Sequence, residues 1–307
     1  MAKKRVVLMA NKWWEADPLC AVLIHDYARP KSLKLLSVVR YPSGHPLKPK
    51  AGDPRPPDPK VEPRLVFGYG DDVEIEVWCL EELMNPAESS SSSLEKARVL
   101  PSAMEAGQSP ALVVAFGTAG SREGVHANGS VIVGRRTFVH APRSKDPDRK
   151  GLWTPPQPDE LVDSAFPVEL LGPSRLDEQA RFAAEARMIP CPIASASPPL
   201  VLAGNGFASL GVVNITNYDD YVWADTAAVQ AFHAAGARAQ IASIETTHGI
   251  IRSASEAPFL YVSGITDTEG LFDYQVTPRR YSQNFVAAHN AGVAIAWLLP
   301  GFIDALP

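Results

Sequence analysis

Alternation between two kinds of apolar segment constrains this chain more than any other feature. "PALVVAFGTAGS" (110–121) is a continuous apolar run that reads as a strand ending in a tight Gly-containing turn. "GSVIVGRRTFVHA" (129–141), "LGVVNITN" (210–217), "RAQIASIE" (238–245) and "PFLYVSGITD" (258–267) read as further strands, the first of them in a strongly bent sheet. Between and after them lie segments with helical spacing. They are 175–188, "ADTAAVQAFHAAG" closed by Gly236, "THGIIRSAS", and a long final helix over 282–299 stopped by Pro300. Strands that alternate with helices predict an α/β fold with a mostly parallel or mixed sheet.

The first half is sparser. "RVVLMA" (5–10) reads as a first strand, and Asp17-Pro18 opens a short helix after it. "VEIEVWCL" (73–80) alternates as a half-buried strand does. Residues 41–64 are proline-rich and charged, and 142–160 has the same character; both read as loop. "ESSSSSLEK" reads as a tether, or a solvated helix start at best. The chain of 307 residues is thus expected to form one domain over 1–307, with loop insertions near 41–64, 86–108 and 142–160.

Bulk properties exclude several classes. With 46% hydrophobic and 21% charged residues the chain can bury an ordinary core. A formal net charge of −5 argues against a partner held through phosphates, so no nucleic acid is expected. No apolar run near "MAKKR" suits a signal peptide, and Pro300 cuts the C-terminal apolar stretch short of a membrane span. Cys20, Cys79 and Cys191 are too few and too scattered for a disulfide framework or a zinc site, which points to the cytoplasm. The histidines form neither HxH nor HExxH, and there is no P-loop or GxGxxG, so no metal and no cofactor is expected.

Acidic residues stand at the ends of the apolar strands. Glu245 closes one and Asp267 another, and the "GTAG" turn and Asn217–Asp220 end two more. Open α/β sheets bind ligands beyond the carboxyl ends of their strands. A lone acid there is an ordinary helix or turn cap, and Asp267, Asp219, Asp220 and Glu245 can each be read that way. Four such ends converging on one sheet edge favour a site.

Taken in order, "VVAFGTAGS", "NGSVIVGRRTFV", "YDDYVWADTAAVQAFHAAG", "ASIETTHGI", "YVSGITD" and "HNAGVA" resemble the nucleoside phosphorylase and nucleosidase superfamily. The resemblance covers the first strand and roughly residues 110–140 and 205–299. It implies a three-layer α/β/α sandwich around a mixed, partly barrel-like sheet, a small-molecule nucleoside substrate and a homo-oligomer. It also implies roles for particular residues. Asp267 stands where the family's acid donates to the purine N7. Glu245 stands at the ribose-binding carboxylate, with Ile244 in place of the usual Met, Ser243 in place of a second acid, and Thr246 and Thr247 following. Tyr221 matches the ring that stacks on the base, and the backbone of Val222 the group that reads its edge. Gly117 and Thr118 belong to the turn that lines the site.

Phosphorolysis needs cations for a phosphate dianion. Family phosphorylases carry an Arg where this chain has Ala115, and another in the loop after the first strand, where Lys12 is the one cation here. Nucleosidases keep a Glu in that loop as base for the attacking water, and Glu15 is suitably placed, with Trp13 and Trp14 excluding water or covering a partner subunit. Glu15 can also be read as a carboxylate favoured by a helix dipole. The resemblance therefore points to hydrolysis of a purine-type nucleoside by Glu15 and Asp267. A phosphorylase using Lys12 or Arg122, and a nucleoside-binding module without turnover, stay open beside it.

Overall fold

The computed structural model describes residues 3–25, 33–38, 61–85, 93–121, 127–134, 136–140, 160–163, 175–191, 197–209, 241–245, 247–268, 271–275 and 282–306. The expected strand at 210–217, the helix closed by Gly236, Arg122, Tyr221, Val222, Thr246 and most of the 41–64 and 142–160 insertions lie outside these residues.

The first strand, β1 (Lys4–Ala10), forms as its apolar run predicts. It pairs in parallel with β4 (Val73–Cys79) on one side and β5 (Leu112–Ser121) on the other. Strands β2 (Leu33–Val38) and β3 (Leu65–Tyr69) extend the β4 edge in antiparallel pairing. Beyond β5 the sheet curls. One branch runs from β5 to β12 (Phe259–Thr268) and β6 (Val131–Gly134), with β9 (Val201–Ala203) beside β6. The other runs from β5 through β11 (Ile241–Glu245) and β10 (Asn205–Ser209) to β7 (Arg136–His140) and β8 (Glu160–Asp163). One residue separates β6 from β7 and one separates β9 from β10, so each pair is a single bent segment serving both branches. Pairing therefore returns to β5 as a barrel-like ring, with β1 to β4 as an open wing. The expected strand 129–141 is this bent segment. Its corner sits at Gly134, where a Cβ would lie 2.2 Å from the Gly204 carbonyl oxygen and 2.3 Å from the Tyr261 phenol.

Alternation along the central strands explains the layers. Val6, Leu8 and Ala10 face one core with Leu112, Val114 and Phe116, and that core is covered by α1 (Trp13–Ile24) and the last helix. Val7, Met9, Val113 and Ala115 face the opposite core, covered by α3 (Ser93–Met104) and α5 (His248–Ser253). A short α2 (Leu80–Leu83) leads out of β4, α4 (Arg175–Glu185) packs on the last helix, and α6 (Phe272–Gln275) follows β12. A sheet buried on both faces by helices is the expected three-layer α/β/α sandwich.

Several local expectations need correction. Helix α1 starts at Trp13, before Asp17-Pro18, and Pro18 lies inside it. The lost N–H costs about 3 kcal/mol, but Ala16, Leu19, Cys20, Val22 and Leu23 are fully buried, at roughly 1–3 kcal/mol for each larger side chain. The last helix, α7 (Ser282–Asp304), likewise runs through Pro300, because Phe302 and Ile303 are buried beyond it. It is long and apolar enough to cross a membrane, yet 78% of its most apolar window is buried in this fold. The segment near 86–108 carries α3, whose Leu100 and Ala103 are fully buried, so it is more than a tether. Residues Gly117–Gly120 continue β5 as strand, held by β12 along one edge and by β11 at Gly120.

Candidate active site

The carboxyl ends of β1, β5, β11 and β12 surround one region. After β1 the chain turns into α1, and Glu15 sits in its first turn. Its Oε2 accepts the Lys12 N–H at 2.8 Å. Its Oε1 accepts the Thr118 N–H at 2.8 Å and the Thr118 hydroxyl at 3.0 Å. The carboxylate is thereby clamped between the start of α1 and the second half of β5. Burial pushes the Glu15 carboxyl above its ordinary range, and the hydrogen bonds from Lys12 and Thr118 oppose that shift.

Gly117 makes the approach possible. A Cβ there would stand 3.0 Å from Glu15 Oε1 and 3.5 Å from His248 Nε2. The Glu15 carboxylate and the His248 imidazole thus lie together against the same open face of Gly117. Its Nδ1 is 3.5 Å from Glu245 Oε1 and 3.4 Å from the Ser263 hydroxyl, and its ring stacks on Tyr261. Burial drives the His248 pKa down to about 3, so the ring is neutral near pH 7.

Glu245 ends β11 and caps α5. Its two oxygens accept the N–H groups of Thr247 and His248, the latter at 2.6 Å. Burial raises its pKa to about 8 against these two bonds and the charge of Lys96. Lys96, from α3, is 3% exposed and donates to the Thr247 hydroxyl at 3.1 Å. Burial lowers its pKa to about 7.

Asp267 enters from the other side of β5. Ile244 pairs with Gly120 on one edge of β5 and Asp267 with Gly120 on the other, so the three form one row across the sheet. A register shift between Ile265 and Asp267 re-aims the strand there, as a β-bulge does. Asp267 is 2% exposed and its Oδ1 takes a hydrogen bond from the Thr266 hydroxyl.

The structure therefore links Glu15, Gly117, Thr118 and Glu245 through direct neighbours, and sets Ile244 and Asp267 in a row with Gly120. Sequence reading missed His248 and Lys96. His248 is the first residue of α5, and an acid just ahead of a helix start is a capping signal that brings it beside that residue. Lys96 carried no such signal, since its neighbours are distant in sequence. Ala115 is fully buried in the apolar core under α3 and α5. Lys12 lies 4.0 Å from Glu81. Among the described residues no cluster of His, Cys, Asp and Glu could hold a metal ion.

No protein-family model matches the sequence, and no curated protein matches it significantly. Solved structures do match over nearly the whole chain. One is 5′-methylthioadenosine nucleosidase from Arabidopsis thaliana in apo form: TM-score 0.53, 14% identity, covering 98% of this chain and 97% of that one. Another is S-adenosylhomocysteine nucleosidase from Streptococcus pyogenes in complex with 5-methylthiotubericidin: TM-score 0.53, 13% identity, covering 100% and 99%. A third is 5′-methylthioadenosine/S-adenosylhomocysteine nucleosidase from Neisseria meningitidis in complex with methylthio-immucillin-A: TM-score 0.52, 14% identity, covering 97% and 99%. At this identity the likeness speaks for architecture, and the chain has the α/β fold of the methylthioadenosine/S-adenosylhomocysteine nucleosidases.

Proposed function

We propose that this protein hydrolyses the N-glycosidic bond of a purine-type nucleoside, as a single nucleosidase-like domain. One observation carries the reading: a buried carboxylate, Glu15, is clamped on Thr118 where a phosphorylase would present cations, and Ala115 is sealed in apolar core. A desolvated carboxylate repels a phosphate dianion and suits the removal of a proton from water.

In this mechanism the C1′–N bond breaks with its electron pair passing to the base. Asp267 donates a proton to the purine as negative charge builds there. Water attacks the ribosyl cation-like carbon, and Glu15 takes its proton. A general acid or base of this kind supplies ~10²–10⁴-fold each. Glu245 accepts the ribose hydroxyls. Each of its oxygens has a second lone pair beyond the N–H it already accepts, so capping α5 and holding the sugar are compatible. Ile244 flanks the sugar and Gly117 and Thr118 line the floor; the resemblance gives Thr246 a place beside the sugar, Tyr221 the stacking on the base and the Val222 backbone the reading of its edge. The natural first substrates to test are 5′-methylthioadenosine and S-adenosylhomocysteine, for which the similar structures are named.

The test is product analysis in phosphate-free buffer. Free base and free ribose sugar are expected, with no acceleration by added phosphate. Ribose 1-phosphate, or a strict phosphate requirement, would overturn hydrolysis. The same preparation examined by light scattering is expected to be a homo-oligomer.

A further inference from the structure

We propose that Lys96, carried in by α3, is a positioning residue that favours the ionised form of Glu245 over the protonated one; this rests on reading Glu245 as the group that takes the sugar hydroxyls. The segment around Lys96 falls outside every motif that resembles the nucleoside enzymes, yet its helix is packed into the core under Ala115 and Ile251. Thr247 is the bridge. Its hydroxyl accepts from Lys96 Nζ at 3.1 Å, and its backbone N–H donates to Glu245 Oε2. A buried amine bridged through one residue to a buried carboxyl offsets part of the desolvation that opposes ionisation of each.

Other charged and titratable groups frame the pair. Glu15 from α1, His248 from α5 and the Tyr261 phenol from β12 face Glu245. Lys12 at the start of α1, Glu81 on α2 and Glu15 face Lys96. Lys12 sits close to Glu81, Glu15 adds negative charge, and His248 is neutral. Among the described residues Lys96 is therefore the cation that opposes protonation of Glu245. The consequence for sugar binding is direct. A protonated carboxyl presents an O–H donor and loses an acceptor, so it cannot take two hydroxyl protons at once. Losing the positive charge moves the Glu245 midpoint upward, and the acid limb of kcat/KM moves to higher pH with it.

The test follows the Glu245 carboxyl itself by carbon-13 NMR in glutamate-labelled protein, its resonance assigned with Glu245→Gln. In Lys96→Met the midpoint is expected to rise by about one pH unit, and Lys96→Arg should restore it. At neutral pH the ribonucleoside KM of Lys96→Met should rise about tenfold with kcat changed less, while thermal stability holds or increases because a buried charge is gone. Thr247→Val removes the bridging hydroxyl but keeps the N–H, and should move the midpoint in the same direction even if Lys96→Met does not fold. A midpoint unchanged in folded Lys96→Met, or in Thr247→Val should Lys96→Met not fold, overturns the proposal. The titration needs no turnover. A wild type that cleaves no purine nucleoside would overturn the functional reading and leave the titration to decide the role of Lys96.

Discussion

Replacing Glu15 by Gln separates chemistry from architecture. The side chain keeps its size, and its carbonyl oxygen can still accept the Thr118 N–H and hydroxyl, which lie at 2.8 and 3.0 Å. The amide nitrogen then falls where Oε2 accepts the Lys12 N–H at 2.8 Å, so two donors face each other. Losing a hydrogen bond to a charged acceptor costs about 1.5–3 kcal/mol. Against this, a carboxylate no longer has to be desolvated, a relief of several kcal/mol for a fully buried ion. The two terms nearly offset, so the melting temperature should stay close to wild type. Catalysis has no such compensation, because an amide cannot take a proton from water. The expected fall in kcat is ~10²–10⁴-fold. Continuous assay of base release, beside thermal denaturation of the same sample, reads both quantities. If kcat stays within about threefold of wild type while the fold is intact, Glu15 is a helix carboxylate and nothing more.

Three further outcomes are expected. Asp267→Asn should lower kcat by ~10²-fold or more in purine nucleoside hydrolysis with little change in melting temperature, since it keeps shape but loses the donated proton. Gly264→Ala should destabilise by about 3 kcal/mol or more in chemical denaturation, because its Cβ would fall 2.0 Å from the Ala287 carbonyl oxygen of α7 and backbone would have to move. His248 has a folded pKa depressed to about 3 from 6.5, so the unfolded chain binds the extra proton between those values and stability must fall as pH drops through that window. His248→Asn should flatten the acid side of the stability curve by an amount on the order of a few kcal/mol, measured by urea denaturation from pH 7 to pH 4.

What the sequence determined by itself is the alternation of strand and helix, and with it the layered α/β architecture. Continuous apolar runs such as 112–116 and 259–262 form central strands, because a sheet covered on both faces buries successive residues alike. Glu245 at the end of β11 and Asp267 in the last pair of residues of β12 were legible for the same reason: the strand runs out close to where the apolar run stops. Helix boundaries were read less well. The prolines in α1 and α7 are local signals to stop, and burial of the side chains beyond them outweighs that signal only once the partner surfaces exist. The meeting of Glu15 with Thr118 and of Lys96 with Thr247 was decided by tertiary structure alone. These contacts span 103 and 151 residues of chain, and no local pattern encodes which charge a folded sheet will bring beside another.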